Sequence, residues 1–118
     1  MRDQRKADEA KQQFKKCSPT FIALGDLTRQ KLCMDLALAD DGGLNVAQLA
    51  GRTHLSRPAI SHHLKVLKDC GIVEPIKKGT QIFYRLNIKH RFEEIKQLVA
   101  MLDELLHEED TNARVNGS

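Results

Sequence analysis

The sequence lacks the features that mark several large classes of protein. Its longest apolar run is the five residues Leu98–Leu102, whereas a bilayer span needs about 20, so no membrane segment is expected. The three cysteines, Cys17, Cys33 and Cys70, stand 16 and 37 residues apart with no C-x-x-C pair. An odd count at such spacings argues against a disulfide framework and leaves reduced thiols as the default reading. The first sixteen residues carry nine charges and no apolar stretch, which is not the make-up of a secretory signal; a cytoplasmic chain is expected. No internal repeat, P-loop, G-x-G-x-x-G or Ser/His/Asp grouping is present, nor an apolar cleft with paired carboxylates. At 118 residues a two-lobed enzyme is excluded on size. Neither an enzyme nor a cofactor is expected.

What is present begins with charge. The net charge is only +3, but residues 52–91 hold nine Lys or Arg against Asp69 and Glu74, a local +7, while the remainder is acidic at −4. A concentrated basic block of this kind is the electrostatic footprint of a nucleic-acid binder, and it is also compatible with an ordinary solvated face.

Periodicity places that block on definite elements. Residues 1–17 read as a charged helical arm with Ala7, Ala10, Phe14 and Cys17 at helical spacing. Ser18-Pro19 reads as a cap and first helical residue of a new short helix to Leu24, broken at Gly25-Asp26. Thr28–Ala39 shows a buried stripe of Leu32, Cys33, Leu36 and Ala39, followed by a turn at Asp40–Gly43. Two short helices come next. Val46, Leu49 and Ala50 define the first, Thr53-His54-Leu55 connects, and Ser56 caps the second, with Pro58 in its first turn and Gly71 as its stop. The second carries Ile60, Leu64 and Leu67 on a single stripe. Period two then takes over: Ile72–Ile76 and Gln81–Leu86 read as strands around a glycine-containing turn. A last helix runs from Ile88 through Phe92, Ile95, Val99, Leu102 and Leu106, and the tail 110–118 has no periodicity and is expected to be disordered.

Two short helices, a tight turn and a basic hairpin describe an α+β, mostly helical, winged helix-turn-helix within residues 18–109. Its expected partner is a double-stranded DNA operator. Candidate DNA contacts are Ser56, Arg57, Pro58, Ser61, His62, His63, Lys65 and Lys68 on the second helix, with Lys77, Lys78 and Gln81 on the hairpin. Arg57 would reach base edges, helix amides behind Ser56 a phosphate, and the hairpin lysines flanking backbone. His62 should point outward and His63 lie partly packed beside the stripe. The terminal helix carries more apolar surface than a small core needs, so Phe14, Phe92, Ile95, Val99, Leu102 and Leu106 are the expected interface of a homodimer.

The segment Leu55-Ser56-Arg57-Pro58-Ala59-Ile60-Ser61-His62-His63-Leu64-Lys65-Val66-Leu67, followed by Cys70-Gly71-Ile72-Val73 and Phe83-Tyr84-Arg85-Leu86, resembles the ArsR/SmtB family of winged helix repressors. Phe21–Arg29 is similar to that family's approach to its second helix, with Leu27 where proline is usual. The resemblance covers residues 20–105. It implies a homodimer that represses its operator until a signal, often a metal ion, releases it. The family's metal sites fall here on Asn45 and Ala47, where a Cys-x-Cys is needed, and on Ile88, His90, Met101 and Glu104, where only two ligands of four survive. No metal site is therefore expected. The alternatives are a metal- or thiol-responsive repressor with a non-standard site, and a winged helix that binds only protein.

Overall fold

The computed structural model describes the backbone of residues 2–117 and the side chains of residues 2–107. Among these, the chain runs α1 (Gln4–Leu24), α2 (Leu27–Ala37), β1 (Leu44–Asn45), α3 (Val46–Ala50), α4 (Arg57–Asp69), β2 (Val73–Lys78), β3 (Gln81–Leu86) and α5 (Lys89–Gly117). It divides into two compact units, one of residues up to Ser18 together with those from His90 onward, the other Pro19–Lys89. The arm expected at residues 1–17 thus groups with the terminal helix.

In the Pro19–Lys89 unit, the apolar stripes read from the sequence become one core. Leu32, Leu49, Ile60, Leu64, Leu67 and Ile72 are fully buried, with Cys33, Leu36, Leu44, Val73 and Ile88 around them. Each buried aliphatic side chain contributes about 1.5–3 kcal/mol. The expected hairpin is present, paired antiparallel from Val73↔Leu86 to Lys78↔Gln81. Its strands run to the tip, leaving Gly79-Thr80 as the turn, with Gly79 at φ +62 supplying the positive dihedral that a two-residue hairpin requires. Pro75 sits on β2, which lies at the edge of the sheet order β1-β3-β2, where its missing N–H costs no ladder bond.

Several local features differ from the sequence reading. First, α1 does not restart at Ser18. The Ser18 hydroxyl donates back to the Phe14 carbonyl at 2.8 Å instead of capping, and Pro19 lies inside the helix. Second, a short strand β1 precedes α3 and pairs with β3 at Leu44↔Tyr84; two residues are too few to show a period. Third, α5 has helical backbone as far as Gly117, across the tail expected to be disordered from Asp110, although Ser118 and the side chains beyond His107 lie outside the described residues. α2 begins one residue earlier than expected because Asp26 accepts a hydrogen bond from the Arg29 backbone N–H at 3.0 Å. That bond holds the Asp26 carboxyl below the usual carboxylate range, so the cap is intact above that range and is lost as pH falls through the lowered value.

In the other unit, Ala10, Cys17 and Leu98 are buried, and buried Gln13 donates from Nε2 to the Glu94 carbonyl at 2.8 Å. Lys6 pairs with Glu104 at 2.9 Å.

β1 can pair with β3 only because Gly43 adopts φ +75, and a Cβ there would overlap the Tyr84 carbonyl oxygen and lie 2.8 Å from its carbon. Gly43→Ala combines a forbidden dihedral with a backbone clash. It should lower the unfolding free energy by more than about 2 kcal/mol, read as a fall in urea midpoint.

Candidate nucleic-acid interface

α4 is the centre of the candidate site. Its first turn is fixed by Ser56, whose hydroxyl accepts from the Ala59 N–H at 3.3 Å, with Pro58 at a position where its absent N–H is not missed. Successive residues rotate by about 100° around a helix. With Ile60, Leu64 and Leu67 buried, Pro58, His62, Lys65 and Asp69 occupy the opposite side, and Ser61 and Lys68 its flank; all six are exposed. Arg57 is exposed at the leading turn. The arrangement offers one arginine, two lysines, a hydroxyl and an imidazole from a single helix face, a donor-rich set suited to phosphates and base edges.

The histidines separate as expected. His62 is exposed. His63 is half-buried, and its Nδ1 lies 3.3 Å from an Arg29 guanidinium nitrogen. Since a guanidinium only donates, Nδ1 accepts and a neutral His63 carries its proton on Nε2. Arg29 also donates from Nε to the Ala23 carbonyl at 2.6 Å and from a terminal nitrogen to the Ile22 carbonyl at 3.4 Å. It therefore ties α2 and the end of α1 to α4. Sequence reasoning missed this residue, because a lone arginine on a helix gives no signal of what it will hold.

Three other candidates are engaged within the chain. Lys65 pairs with Asp69 at 2.8 Å, which holds the Asp69 carboxyl below its usual range. Lys78 does not stand free at the hairpin tip. Its Nζ donates to the Gly42 carbonyl at 3.2 Å and lies 4.8 Å from the Phe83 ring centroid. Gln81 accepts from the Asn45 side chain at 3.4 Å. Lys77 remains exposed opposite Ile82, and Arg85 pairs with Glu74. Among the described residues, Arg57, Lys68 and Lys77 are thus the cations of α4 and the hairpin whose side chains make no ion pair or hydrogen bond.

The positions where the resemblance would put metal ligands do not fit a metal. Asn45 caps α3 in a reciprocal box, its side chain accepting from Gln48 N–H at 2.8 Å while Gln48 Oε1 accepts from Asn45 N–H at 2.9 Å. Ala47 has no donor atom. Ile88 is a core side chain, and Glu104 is held by Lys6. Among the cysteines, Cys17 and Cys33 are buried and Cys70 half-buried. Burial pushes the Cys33 thiol up to about 11, which keeps it protonated and unreactive at neutral pH.

Comparison with known proteins now decides the family. The profile described as "Bacterial regulatory protein, arsR family" matches residues 36–75, which contain α3 and α4. A cadmium resistance transcriptional regulatory protein CadC homolog of Staphylococcus aureus is 38% identical over 94 residues, 80% of this chain and 73% of the relative. The chain belongs to the ArsR family. Transcriptional repressor SdpR of Bacillus subtilis is 37% identical over 67 residues, 57% of this chain and 71% of the relative. The structure of an ArsR-like transcriptional regulator from Rhodococcus sp. RHA1 superposes with a TM-score of 0.76 at 29% identity, covering 88% of this chain and 93% of that one. This ArsR-family chain is a transcriptional regulator with a winged helix fold, not an enzyme. Among its described residues no helix is long and apolar enough to cross a membrane.

Arg29→Lys keeps the charge but cannot serve two carbonyls and an imidazole from one planar group. The variant should lose about 2 kcal/mol of stability, the order of one charge-assisted hydrogen bond left unmade. Urea unfolding checks the loss, and 15N shifts of the His63 ring should register the freed Nδ1.

Proposed function

We propose that this regulator binds a DNA operator as a homodimer and represses transcription in the cytoplasm until a signal releases it. The observation that carries the reading is the exposed outer side of α4. Arg57, Ser61, His62 and Lys68 stand there together behind a capped helix N-terminus, in the same unit as a hairpin with Lys77 exposed near its tip. The name of the SdpR relative supports repression. A face meant only for protein would be apolar or acidic, and this one is neither. A metal at the two family positions is not the signal this reading favours, because Ala47 and Ile88 have no donor atom, Asn45 caps α3 and Glu104 is held by Lys6.

Dimerisation is supported by the unit built from α1 and α5. Phe14, Phe92, Val99 and Leu106 are each 44% exposed or more in the single chain, and Ile95 and Leu102 are half-buried beside them. Exposed apolar side chains grouped in this way mark a protein contact, and regulators that read operators with paired helices use two-fold symmetry.

Two experiments test the reading. Salt titrations on a selected operator and a scrambled duplex separate base reading from phosphate grip. Arg57→Ala should cost about 1–3 kcal/mol on the operator and far less on the scrambled duplex. Lys77→Ala should weaken both alike and lower the salt slope by roughly one. Absence of duplex binding at any salt would leave the protein-binding alternative standing.

Val99, at 59% exposure, is not needed by its own chain's core. Val99→Asp should give monomers by sedimentation with the unfolding midpoint of the monomer unit preserved, and a dimer unaffected by this change would exclude the assigned face.

A further inference from the structure

Within the Pro19–Lys89 unit a groove of about 580 Å³ opens between the start of α2 and the turn from α3 to α4, a volume in the range of small-molecule sites. Its apolar wall is made by Leu27 and Leu55, and Leu27 is 80% exposed. Its rim carries Lys31, Arg52 and His54, and no carboxylate lines it. Lys31 is held by Asp35 at 3.0 Å, which leaves Arg52, beside the His54 imidazole, as the rim cation with no ion pair among the described residues. The floor is a fixed turn. Thr53 Oγ1 donates to the Ala50 carbonyl at 3.3 Å and accepts from the Leu55 N–H at 3.1 Å, one residue before the Ser56 cap of α4.

We propose that this groove binds a small amphiphilic carboxylate, its apolar body against Leu27 and Leu55 and its carboxylate against the Arg52 guanidinium. The two halves of the lining select together. A neutral apolar molecule would cover Arg52 without offering an acceptor, and burying a cation unpaired is costly. A bare phosphate, free or on DNA, satisfies Arg52 but leaves the leucines in water. Only a ligand with both an apolar body and an anionic head meets the apolar wall and the unpaired rim. Arginine suits the head because its planar fork takes a carboxylate with two parallel hydrogen bonds.

Titration of the DNA-free protein followed by amide resonances tests this, so its outcome is independent of the operator reading above. Octanoate is the probe, with 1-octanol and inorganic phosphate as comparisons. Leu27→Thr and Arg52→Gln alter exposed side chains, and unchanged urea midpoints verify that both variants fold. Octanoate should shift the amides of Thr53 and Leu55, binding about tenfold more tightly than either comparison, and each variant should weaken it about fivefold or more. Octanol or phosphate matching octanoate would overturn the proposal, as would octanoate binding unaltered in either variant. If Arg52→Gln weakens binding of a random duplex while octanoate binding stays intact, Arg52 is a phosphate contact and not the partner of a carboxylate, and the proposal is overturned.

Discussion

The burial of one face of α4 is the interaction on which the other parts of the candidate interface depend. Ile60, Leu64 and Leu67 have no exposed surface, and together they contribute roughly 5–9 kcal/mol of gross apolar burial, comparable with the whole net stability of a small domain. Because the three share one stripe, burying them fixes the rotation of the helix about its own axis. That rotation in turn decides that His62 meets solvent and His63 meets Arg29. The exposed side of α4 is thus a consequence of the core, and a shift of one residue in register would turn the helix by about 100° and carry the stripe out of the core.

The elements with strong periodicity were legible from sequence alone. The α4 stripe, its Ser56 cap, the period-two hairpin and the outward placing of His62 all follow from spacing, and the structure agrees. What escaped has a common physical character: it depends on a partner distant in sequence or on a competition between two local bonds. β1 is defined by its pairing with β3 at Leu44↔Tyr84 and Asn45↔Phe83, partners distant in the chain. Pro19 and Ser18 carry the letters of a helix start, yet the hydroxyl bond back to Phe14 wins and the helix continues. Arg29 meets His63 over 34 positions and Lys78 reaches Gly42 over 36, and neither encounter has a sequence pattern. The Asn45-x-x-Gln48 box, by contrast, has the local spacing of a capping pattern and is readable from sequence.

Local charge counts need the same correction. The basic block was counted at +7, but Lys65, Lys78 and Arg85 already have partners in the chain. Exposed pairs such as Lys65–Asp69 contribute little to stability, so their chief effect is on binding. A lysine held by a carboxylate must give up that contact before it can neutralise a phosphate, and its share of counterion release is offset accordingly. The strength of the field therefore rests on Arg57, Lys68 and Lys77 more than the raw count suggests. They lie at the leading turn and flank of α4 and near the hairpin tip, where steering by an uneven charge distribution is most useful.

The way α4 is held also limits how regulation can act in the proposed dimer. The helix is pinned by its stripe, by Ser56 at its first turn and by Arg29 through His63, so tilting it alone would break core packing and the Arg29–His63 contact. Packed cores switch between discrete arrangements and do not deform smoothly. The inexpensive variable is the distance between two intact copies of α4, which operator half-sites separated by about 34–36 Å demand to within the reach of a side chain. A signal that moves one winged unit against the other by a small rigid-body step changes that distance and leaves every bond inside the unit in place. The bonds that a signal would need to alter are then those of the dimer face on α1 and α5.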